Sequence, residues 1–249
     1  MPTCNLKSPR IAAVVPAAGH GSRMGSPLAK QYLPLAGQLM IEHSLNALLQ
    51  NPSLEQVVVA LSADDAHFQQ LAVARDPRIA TVVGGAERAN SVLAALEKLA
   101  LEGIDWVLVH DAARPCLTAQ DLNALMEHCL ESGMGGLLAA PVRDTMKRAQ
   151  ADSVRAVISQ VEIPQVETTI PREQLWHALT PQMFPLAALH AAYRAALAAG
   201  VNLTDEASAM EWAGHPVALV SGSRWNIKVT TAEDLPLAAW LLSQTAKEL

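Results

Sequence analysis

Short runs of consecutive apolar residues, rich in β-branched side chains, recur along this chain and predict buried strands. They are residues 11–15, 57–61, 80–83, 106–109, 137–140, 217–220 and 227–229. Runs that are apolar at every position, rather than at alternate positions, are typical of strands covered on both faces. The pattern therefore predicts a central sheet that is buried between two layers.

Segments with helical periodicity and recognisable ends lie between these runs. Thr118 is a predicted N-cap with Asp121 three residues later, an apolar stripe follows, and Gly133 closes the segment. Thr204 precedes two acidic residues, and residues 231–234 show a similar pattern, so both predict further helix starts. Strands that alternate with helices predict an α/β fold with a doubly wound, mostly parallel sheet.

One region departs from this alternation. Residues 141–172 are polar, contain prolines and show no amphipathic helix, so we expect an extended β-arm that protrudes from the domain. The arm has too little apolar content for a core of its own, and a second copy of the chain is the simplest partner to cover it, which predicts a homodimer. The whole chain is predicted to consist of a leader, residues 1–10, and a single domain, residues 11–249, to which the arm belongs.

Composition and charge narrow the function. The chain has 249 residues, of which 51% are hydrophobic, enough for one large domain. Its formal net charge of −6 argues against a nucleic-acid partner. The sequence predicts neither a signal peptide nor a membrane span, and its three sparse cysteines lack metal-ligand spacing. We therefore expect a cytoplasmic protein with reduced thiols and no membrane contact.

The strongest local signal follows the first predicted strand. Residues 16–24 form a loop of small residues with two glycines and Arg23. Small side chains let a phosphate approach backbone N–H groups, and ligands of doubly wound sheets bind at this edge. The loop lacks the Gly-Lys-Ser/Thr end of a Walker loop and the last glycine of G-x-G-x-x-G. Composition alone leaves open both phosphate binding and an ordinary strand-to-helix turn.

A series of short motifs in a fixed order is more specific. They are Pro16-Ala17-Ala18-Gly19 with Gly21, Arg23 and Met24; Lys30-Gln31-Tyr32; Gly84-Gly85 with Arg88 and Ser91-Val92; His110 to Pro115; Ala140-Pro141-Val142; Asp144 to Lys147; Trp176 to Gln182; Thr204 to Ser208; and Asn226 to Thr230. Each motif is weak alone. In this order and spacing they closely resemble the 2-C-methyl-D-erythritol 4-phosphate cytidylyltransferase family.

The resemblance implies a Rossmann-like nucleotidyltransferase fold, a requirement for CTP and magnesium, a homodimer with exchanged arms, and a place in isoprenoid-precursor synthesis. The implied reaction transfers CMP from CTP to the polyol phosphate and releases pyrophosphate. The attacking phosphate oxygen is already anionic at neutral pH, so the reaction needs no strong general base. Fixed cations and metal are the expected catalysts, because negative charge accumulates in the transition state.

The resemblance also implies the site residues. The predicted catalytic residues are Arg23, Lys30, Arg172 and Lys228. The predicted nucleotide-binding residues are Pro16, Ala17, Ala18, Gly19, Gly21, Arg23, Lys30, Gly85, Ser91 and Asp111. The predicted substrate-binding residues are Asp111, Arg114, Thr145, Arg172, Thr180, Thr204 and Lys228. Asp111 is also the candidate magnesium ligand. Thr145 and Arg172 lie on the arm and are implied to reach the partner's site.

Other interpretations of single residues stay open. Arg114 is as consistent with a structural ion pair as with a ligand contact. Thr204 is consistent with a helix cap as well as with a place in the site. The pair His110-Asp111 is similar to the metal-binding dipeptide of phosphohydrolases, but the other histidines are scattered. Ala29 stands where most relatives have proline, and the arm looks longer than in close relatives.

Three other functions share parts of this pattern. One is a cytidylyltransferase for ribitol 5-phosphate or a related polyol phosphate, and another is a nucleotidyltransferase that uses UTP or another nucleotide. The third is a nucleotide-binding regulatory module without catalysis, which would not need the catalytic cations that this chain retains. The length of the chain predicts a single activity rather than a fusion with a cyclase.

Overall fold

The computed structural model describes residues 8–19, 28–150 and 164–245. The strands are β1 (Ile11–Pro16), β2 (Pro34–Leu35), β3 (Gln38–Leu39), β4 (Leu54–Leu61), β5 (Ile79–Val83), β6 (Trp106–Val109), β7 (Gly136–Pro141), β8 (Met146–Ala149), β9 (Val166–Ile170), β10 (Trp176–Pro185) and β11 (Ala218–Ser221). The helices are α1 (Met40–Leu49), α2 (Arg88–Leu101), α3 (Ala119–Ser132), α4 (Leu186–Ala198), α5 (Glu206–Trp212) and α6 (Asp234–Thr245), and short 3-10 turns include Lys30–Tyr32.

Across the described ranges, the main sheet has seven strands in the order β11-β7-β10-β6-β1-β4-β5. β1 pairs in parallel with β4 on one side and β6 on the other, and the β4–β5 and β11–β7 pairs are parallel too. β10 is antiparallel to both of its neighbours. The predicted α/β fold with a mostly parallel, doubly wound sheet is therefore confirmed. The strand order reverses at β1, and crevices at such points are where doubly wound folds bind ligands.

Alternate residues of β1 enter the two layers that cover the sheet. Ile11, Ala13 and Val15 pack in the cluster that contains the apolar faces of α1 and α3. Ala12 and Val14 pack in the opposite cluster, with α2 and α4. All five side chains are buried, which is why this strand is apolar at every position.

Six of the seven predicted strands are present, and the seventh prediction is wrong. Residues 227–229 have no regular secondary structure, and the Val229 N–H donates to the Ala113 carbonyl at 2.8 Å. Sequence reasoning also missed β10, because its proline-containing stretch lacks the continuous β-branched run of its neighbours. Its antiparallel pairing with β7 shifts register between Ala178 and Gln182.

The predicted cap of α3 is confirmed, α6 begins within the predicted segment 231–234, and the cap of α5 is corrected. The Thr118 hydroxyl accepts the Asp121 N–H at 3.1 Å, and Gly133 ends α3 with φ 68°. Asp234 begins α6 and accepts backbone N–H bonds from Thr230 and Thr231. For α5, the possible cap at Thr204 is wrong: the capping carboxylate is that of the next residue, which accepts the Ser208 N–H.

The predicted arm contains a two-stranded antiparallel sheet, β8 with β9, that is separate from the main sheet. Met146 and Val166 expose 37% and 57% of their surface there, so apolar side chains face outward in the single chain. Residues 151–163, which lie between the two strands, are outside the described residues. The division into leader, domain and arm stays a prediction.

Cys116 and Cys129 are free and buried, and burial raises the pKa of each thiol to about 12. Among the helices described, none is both long and apolar enough to cross a membrane.

Candidate active site

A cavity of about 280 Å³ opens at the carboxyl ends of β1, β5 and β6. It is built by the loop after β1, by the start of α2 and by the residues that follow β6. Nine of the predicted site residues line it: Pro16, Ala17, Ala18, Gly19, Lys30, Gly85, Ser91, Asp111 and Lys228. These residues come from five separate parts of the chain, so the fold brings the predicted nucleotide site together.

A second cavity of about 260 Å³ adjoins the first. Five predicted substrate residues line it: Asp111, Arg114, Thr180, Thr204 and Lys228. Asp111 and Lys228 belong to both cavities, and so does Arg88. The two cavities therefore share a wall made of charged side chains.

Of the other four predicted site residues, two lie within the described residues and two do not. Gly21 and Arg23 lie outside the described residues, so their prediction is untouched by the geometry. Thr145 and Arg172 lie at the arm and line neither cavity of their own chain. The Arg172 guanidinium donates to the Arg143 carbonyl, across the base of the arm. A role for the two arm residues in the site therefore requires a second chain.

Close packing of small residues shapes the wall beneath the β1 loop. A side chain on Gly84 would place its Cβ 2.7 Å from the Ala18 Cβ and the Ser91 Oγ, so this position tolerates glycine alone. The Ser91 hydroxyl accepts the Gly85 N–H at 3.2 Å. On the other side, the Gln31 amide donates to the Ala17 carbonyl at 2.6 Å. Backbone groups thus form fixed walls that a flat base can contact.

Lys30 reaches the cavity from the 3-10 turn. Its ammonium donates to the Val229 carbonyl at 3.0 Å, next to Lys228, so cations from two distant segments meet at one rim. Ala29, the residue before it, has φ −58°. Proline requires about this value, so alanine preserves the backbone conformation that proline would impose.

Asp111 is the centre of the shared wall. Its Oδ1 lies 3.1 Å from Arg88 Nε, and its Oδ2 lies 2.8 Å from Lys228 Nζ and 3.7 Å from Arg114 Nε. Burial alone would raise the pKa of this carboxyl, but the surrounding cations, Arg88 first and Lys228 next, hold it well below its ordinary value. Asp111 is therefore a carboxylate throughout the physiological range.

Arg114 is held by hydrogen bonds within the protein. Its two terminal nitrogens donate to the carbonyls of Asn226 and Ala178, at 2.7 and 3.3 Å, and the residue is 8% exposed. These bonds fasten the irregular segment that carries Lys228 to β10. The geometry therefore favours a structural role for Arg114, although the residue also lines the second cavity.

Arg88 and Glu206 were not among the predicted site residues. Glu206 is fully buried, and its two carboxylate oxygens lie 2.8 and 3.2 Å from the terminal nitrogens of Arg88. Burial by itself lowers the pKa of Arg88, but the carboxylates of Glu206 and Asp111 outweigh it and raise the pKa. The available signal was the position of Arg88, three residues after Gly85 in the same motif, where a charge at the start of a helix faces the site.

His110 and Thr180 form a closed hydrogen-bond chain behind Asp111. The Thr180 hydroxyl accepts the Asp111 N–H at 3.1 Å and lies 3.0 Å from Nδ1 of His110, whose Nε2 lies 3.1 Å from the Arg114 carbonyl. The carbonyl requires a proton on Nε2, so Nδ1 accepts from the hydroxyl. The hydroxyl of Thr180 therefore holds the backbone of Asp111 in place, and Thr180 also lines the second cavity.

The burial of His110 predicts a defined acid sensitivity. Burial first, against a smaller opposing effect of Asp111, lowers the pKa of the imidazole to about 4 from 6.5. Between these values the unfolded chain binds a proton that the native protein does not, so the free energy of unfolding falls as the pH falls through this window. We expect the loss from this residue to be about 2 kcal/mol between pH 7.5 and pH 5.

Urea unfolding of the wild type and His110→Gln at these two pH values measures this effect. The variant should lack this part of the pH dependence, whatever its stability at pH 7.5. Equal pH dependence of the two proteins would show that His110 titrates normally in the folded state.

The charged groups also limit how a metal could bind. Within residues 8–19, 28–150 and 164–245, no group of three His, Cys, Asp or Glu side chains is arranged to hold a metal ion. Asp111 offers one carboxylate at the shared wall. This donor set suits a Mg²⁺ ion that takes most of its oxygen ligands from a bound nucleotide.

Comparisons with known proteins agree with this arrangement. The model of the family described as 2-C-methyl-D-erythritol 4-phosphate cytidylyltransferase matches residues 11–244. A curated protein of that name from Shewanella amazonensis is 54% identical over 232 residues, which cover 93% of each chain. One from Vibrio vulnificus is 52% identical over 236 residues, covering 94% of this chain and 95% of the relative.

Solved structures show the same fold over nearly the whole chain. A crystal structure of 4-diphosphocytidyl-2C-methyl-D-erythritol synthase superposes with a TM-score of 0.78 at 32% identity, covering 95% of this chain and all of that one. The enzyme named 2-C-methyl-D-erythritol 4-phosphate cytidylyltransferase from Thermus thermophilus gives a TM-score of 0.75 at 28% identity, with coverage of 94% and 99%. By its family match, its relatives and its fold, this chain belongs to the 2-C-methyl-D-erythritol 4-phosphate cytidylyltransferase family.

Proposed function

We propose that this protein transfers CMP from CTP to 2-C-methyl-D-erythritol 4-phosphate, releasing pyrophosphate, as a step in isoprenoid-precursor synthesis. One observation carries the proposal. Two adjacent cavities share a wall in which Lys228, Asp111 and Arg88 are ion-paired, and the first cavity begins at the small-residue loop after β1. A nucleotide in one cavity and a phosphate acceptor in the other would meet at this wall.

The chemistry needs charge rather than a base. An oxygen of the acceptor phosphate forms a bond to the α-phosphorus of CTP, and the bond from that phosphorus to the α–β bridging oxygen breaks, so pyrophosphate leaves with the electron pair. Lys30 and Lys228 lie at the rim where these anionic groups would converge. Buried, neutral His110 is absent from both walls, in keeping with a reaction that requires no general base.

The remaining predicted roles are part of the same proposal. Backbone groups around Ala17, Gly85 and Ser91 would receive the cytosine, and Arg23 with Lys30 would stabilise the transition state. Mg²⁺ bound to the triphosphate, with Asp111 as a protein ligand, would neutralise part of the phosphate charge. A cytoplasmic location stays a prediction from the sequence.

Pyrophosphate release with a panel of substrates tests the function. CTP with 2-C-methyl-D-erythritol 4-phosphate should give the highest kcat/KM. Ribitol 5-phosphate as the better acceptor, or UTP as the better donor, would instead establish one of the alternative transferases. CTP binding without any pyrophosphate release would favour the regulatory module.

We also propose that the active protein is a homodimer with exchanged arms. The support is that β8 and β9 expose apolar side chains and that Thr145 and Arg172 line neither cavity of their own chain. Gel filtration at micromolar concentration should give a dimer. A monomer that is fully active at this concentration would contradict the arrangement.

Complementation gives a sharper test of the exchange. Arg172→Ala and Lys30→Ala should each be weakly active alone. If Arg172 acts in the partner's site, one site of a mixed dimer carries neither change. After the two are unfolded, mixed in equal amounts and refolded together, activity should recover to about a quarter of the wild type, by random pairing of subunits. No recovery would place both residues in the same site.

A further inference from the structure

Arg88 stands in the walls of both cavities, together with Asp111 and Lys228. It is the first residue of α2 and lies three residues after Gly85, whose N–H donates to the Ser91 hydroxyl of the same helix. Its side chain is 27% exposed. Arg88 therefore connects the loop that shapes the first cavity with the carboxylate that divides the two cavities.

Each nitrogen of the Arg88 guanidinium has a defined partner. The two terminal nitrogens form a bidentate pair with Glu206, and Nε donates to Asp111 Oδ1 at 3.1 Å. Glu206 is fully buried and also accepts the Tyr193 hydroxyl at 2.8 Å, so its carboxylate is immobile. A bidentate pair fixes the plane of the guanidinium. The nitrogen that faces Asp111 is therefore held from a rigid base inside the protein.

The second partner of Asp111 is of a different kind. Lys228 is 39% exposed and comes from the irregular segment after β11, and its flexible ammonium makes a single contact at Asp111 Oδ2. An anionic substrate in either cavity would compete for this ammonium. When Lys228 turns to a phosphate, Oδ2 loses that contact, whereas Oδ1 keeps Arg88.

We propose that Arg88 is a positioning residue, which holds Asp111 in one orientation between the two cavities while Lys228 engages the substrate. The proposal rests on the proposed function, since it assigns CTP and the acceptor phosphate to the two cavities. The simpler alternative is that Arg88 only neutralises buried Glu206. The two explanations differ in what happens when both charges of that pair are removed together.

Arg88→Met and the double variant Arg88→Met with Glu206→Gln separate these explanations. The single change leaves a buried carboxylate unpaired, so the Tm should fall. The double change removes both charges and keeps an acceptor for Tyr193, so the Tm should recover. If Arg88 positions Asp111, kcat should be about 10- to 100-fold below that of the wild type in both variants. This is the usual loss when a residue that orients an active-site group is removed.

The affinity for CTP distinguishes positioning from loss of structure. Calorimetry without the acceptor and without a divalent cation should give a CTP dissociation constant close to that of the wild type, because the backbone walls around Ala17 and Ser91 are unchanged and Asp111 has no metal ion to hold. Arg78→Met is a matched control: its side chain is 31% exposed and pairs with Asp76 away from the site. This control should lower the Tm and leave kcat unchanged.

The outcomes decide the proposal. Wild-type kcat in the double variant, together with a recovered Tm, would show that Arg88 merely neutralises Glu206. If the double variant stays unstable, Arg88→Lys decides, because a lysine cannot hold Glu206 with two nitrogens and reach Asp111. Full kcat in a stable Arg88→Lys variant overturns the proposal, and a loss of about 10-fold supports it. The wild type is assayed first, and if it fails to release pyrophosphate from the proposed substrates, the proposed function fails instead.

Discussion

Lys30→Ala is expected to lower kcat by about 10²-fold or more, comparable to removing one preorganised charge donor from an active site. The ammonium of Lys30 is held at the cavity rim by the Val229 carbonyl, on the same segment as Lys228. Both cations would act on charge that builds up during the transfer. Because the position of Lys30 is fixed before the substrates bind, little reorganisation opposes its effect in the transition state.

Steady-state pyrophosphate release at saturating CTP and acceptor measures this effect. Lys98→Ala is the matched control, since Lys98 lies on the surface of α2, 32% exposed and paired with Glu102, away from both cavities. The control should keep wild-type kcat. A correctly folded Lys30→Ala protein with near wild-type turnover would remove Lys30 from the catalytic set.

The strands that could be predicted from the sequence are those that contain a run of consecutive apolar residues. β1 and β6 are apolar throughout because both faces are covered, and sequence reasoning found them to within a residue. β10 carries polar residues and prolines and depends on its partners β6 and β7 for its strand conformation, so local pattern did not reveal it. The segment 227–229 shows the reverse case, where apolar residues are buried by packing against α6 and neighbouring loops without joining the sheet.

The site residues that could be predicted from the sequence are those that belong to a recognisable motif. Lys30, Asp111 and Lys228 belong to different motifs, and the fold brings them to one cavity. The contact between Arg88 and Glu206 could not be predicted, because it joins residues 118 positions apart through the packing of α2 and α5 against α4. A pair of buried charges that are so far apart in the sequence produces no local pattern from which the contact could be predicted.

Asp111→Asn is expected to affect both catalysis and folding. The carboxylate faces Arg88, Lys228 and Arg114, and an amide of the same shape would leave these cations with Glu206 as the remaining carboxylate of the cluster. Removing one partner of a buried charge cluster should lower the free energy of unfolding by about 3 kcal/mol at pH 7. Loss of the proposed metal ligand and of the contact that orients Lys228 should lower kcat by about 10²-fold.

The pH dependence identifies the carboxylate as the cause. Despite burial, the surrounding cations lower the pKa of Asp111 in the folded protein, so its contribution is present above the ordinary pKa of an aspartate and is lost as the pH falls through the lower, folded value. The difference in unfolding free energy between the wild type and Asp111→Asn should therefore be full at pH 7 and shrink below about pH 4.

Asp76→Asn provides the comparison. Asp76 also pairs with an arginine, Arg78, and that arginine lowers its pKa, but the pair lies near the surface and away from both cavities. This variant should lose less than about 1 kcal/mol, as is usual for exposed ion pairs, and keep its kcat. If Asp111→Asn resembled Asp76→Asn in both stability and turnover, the charge cluster at the shared wall would not be the centre of the site.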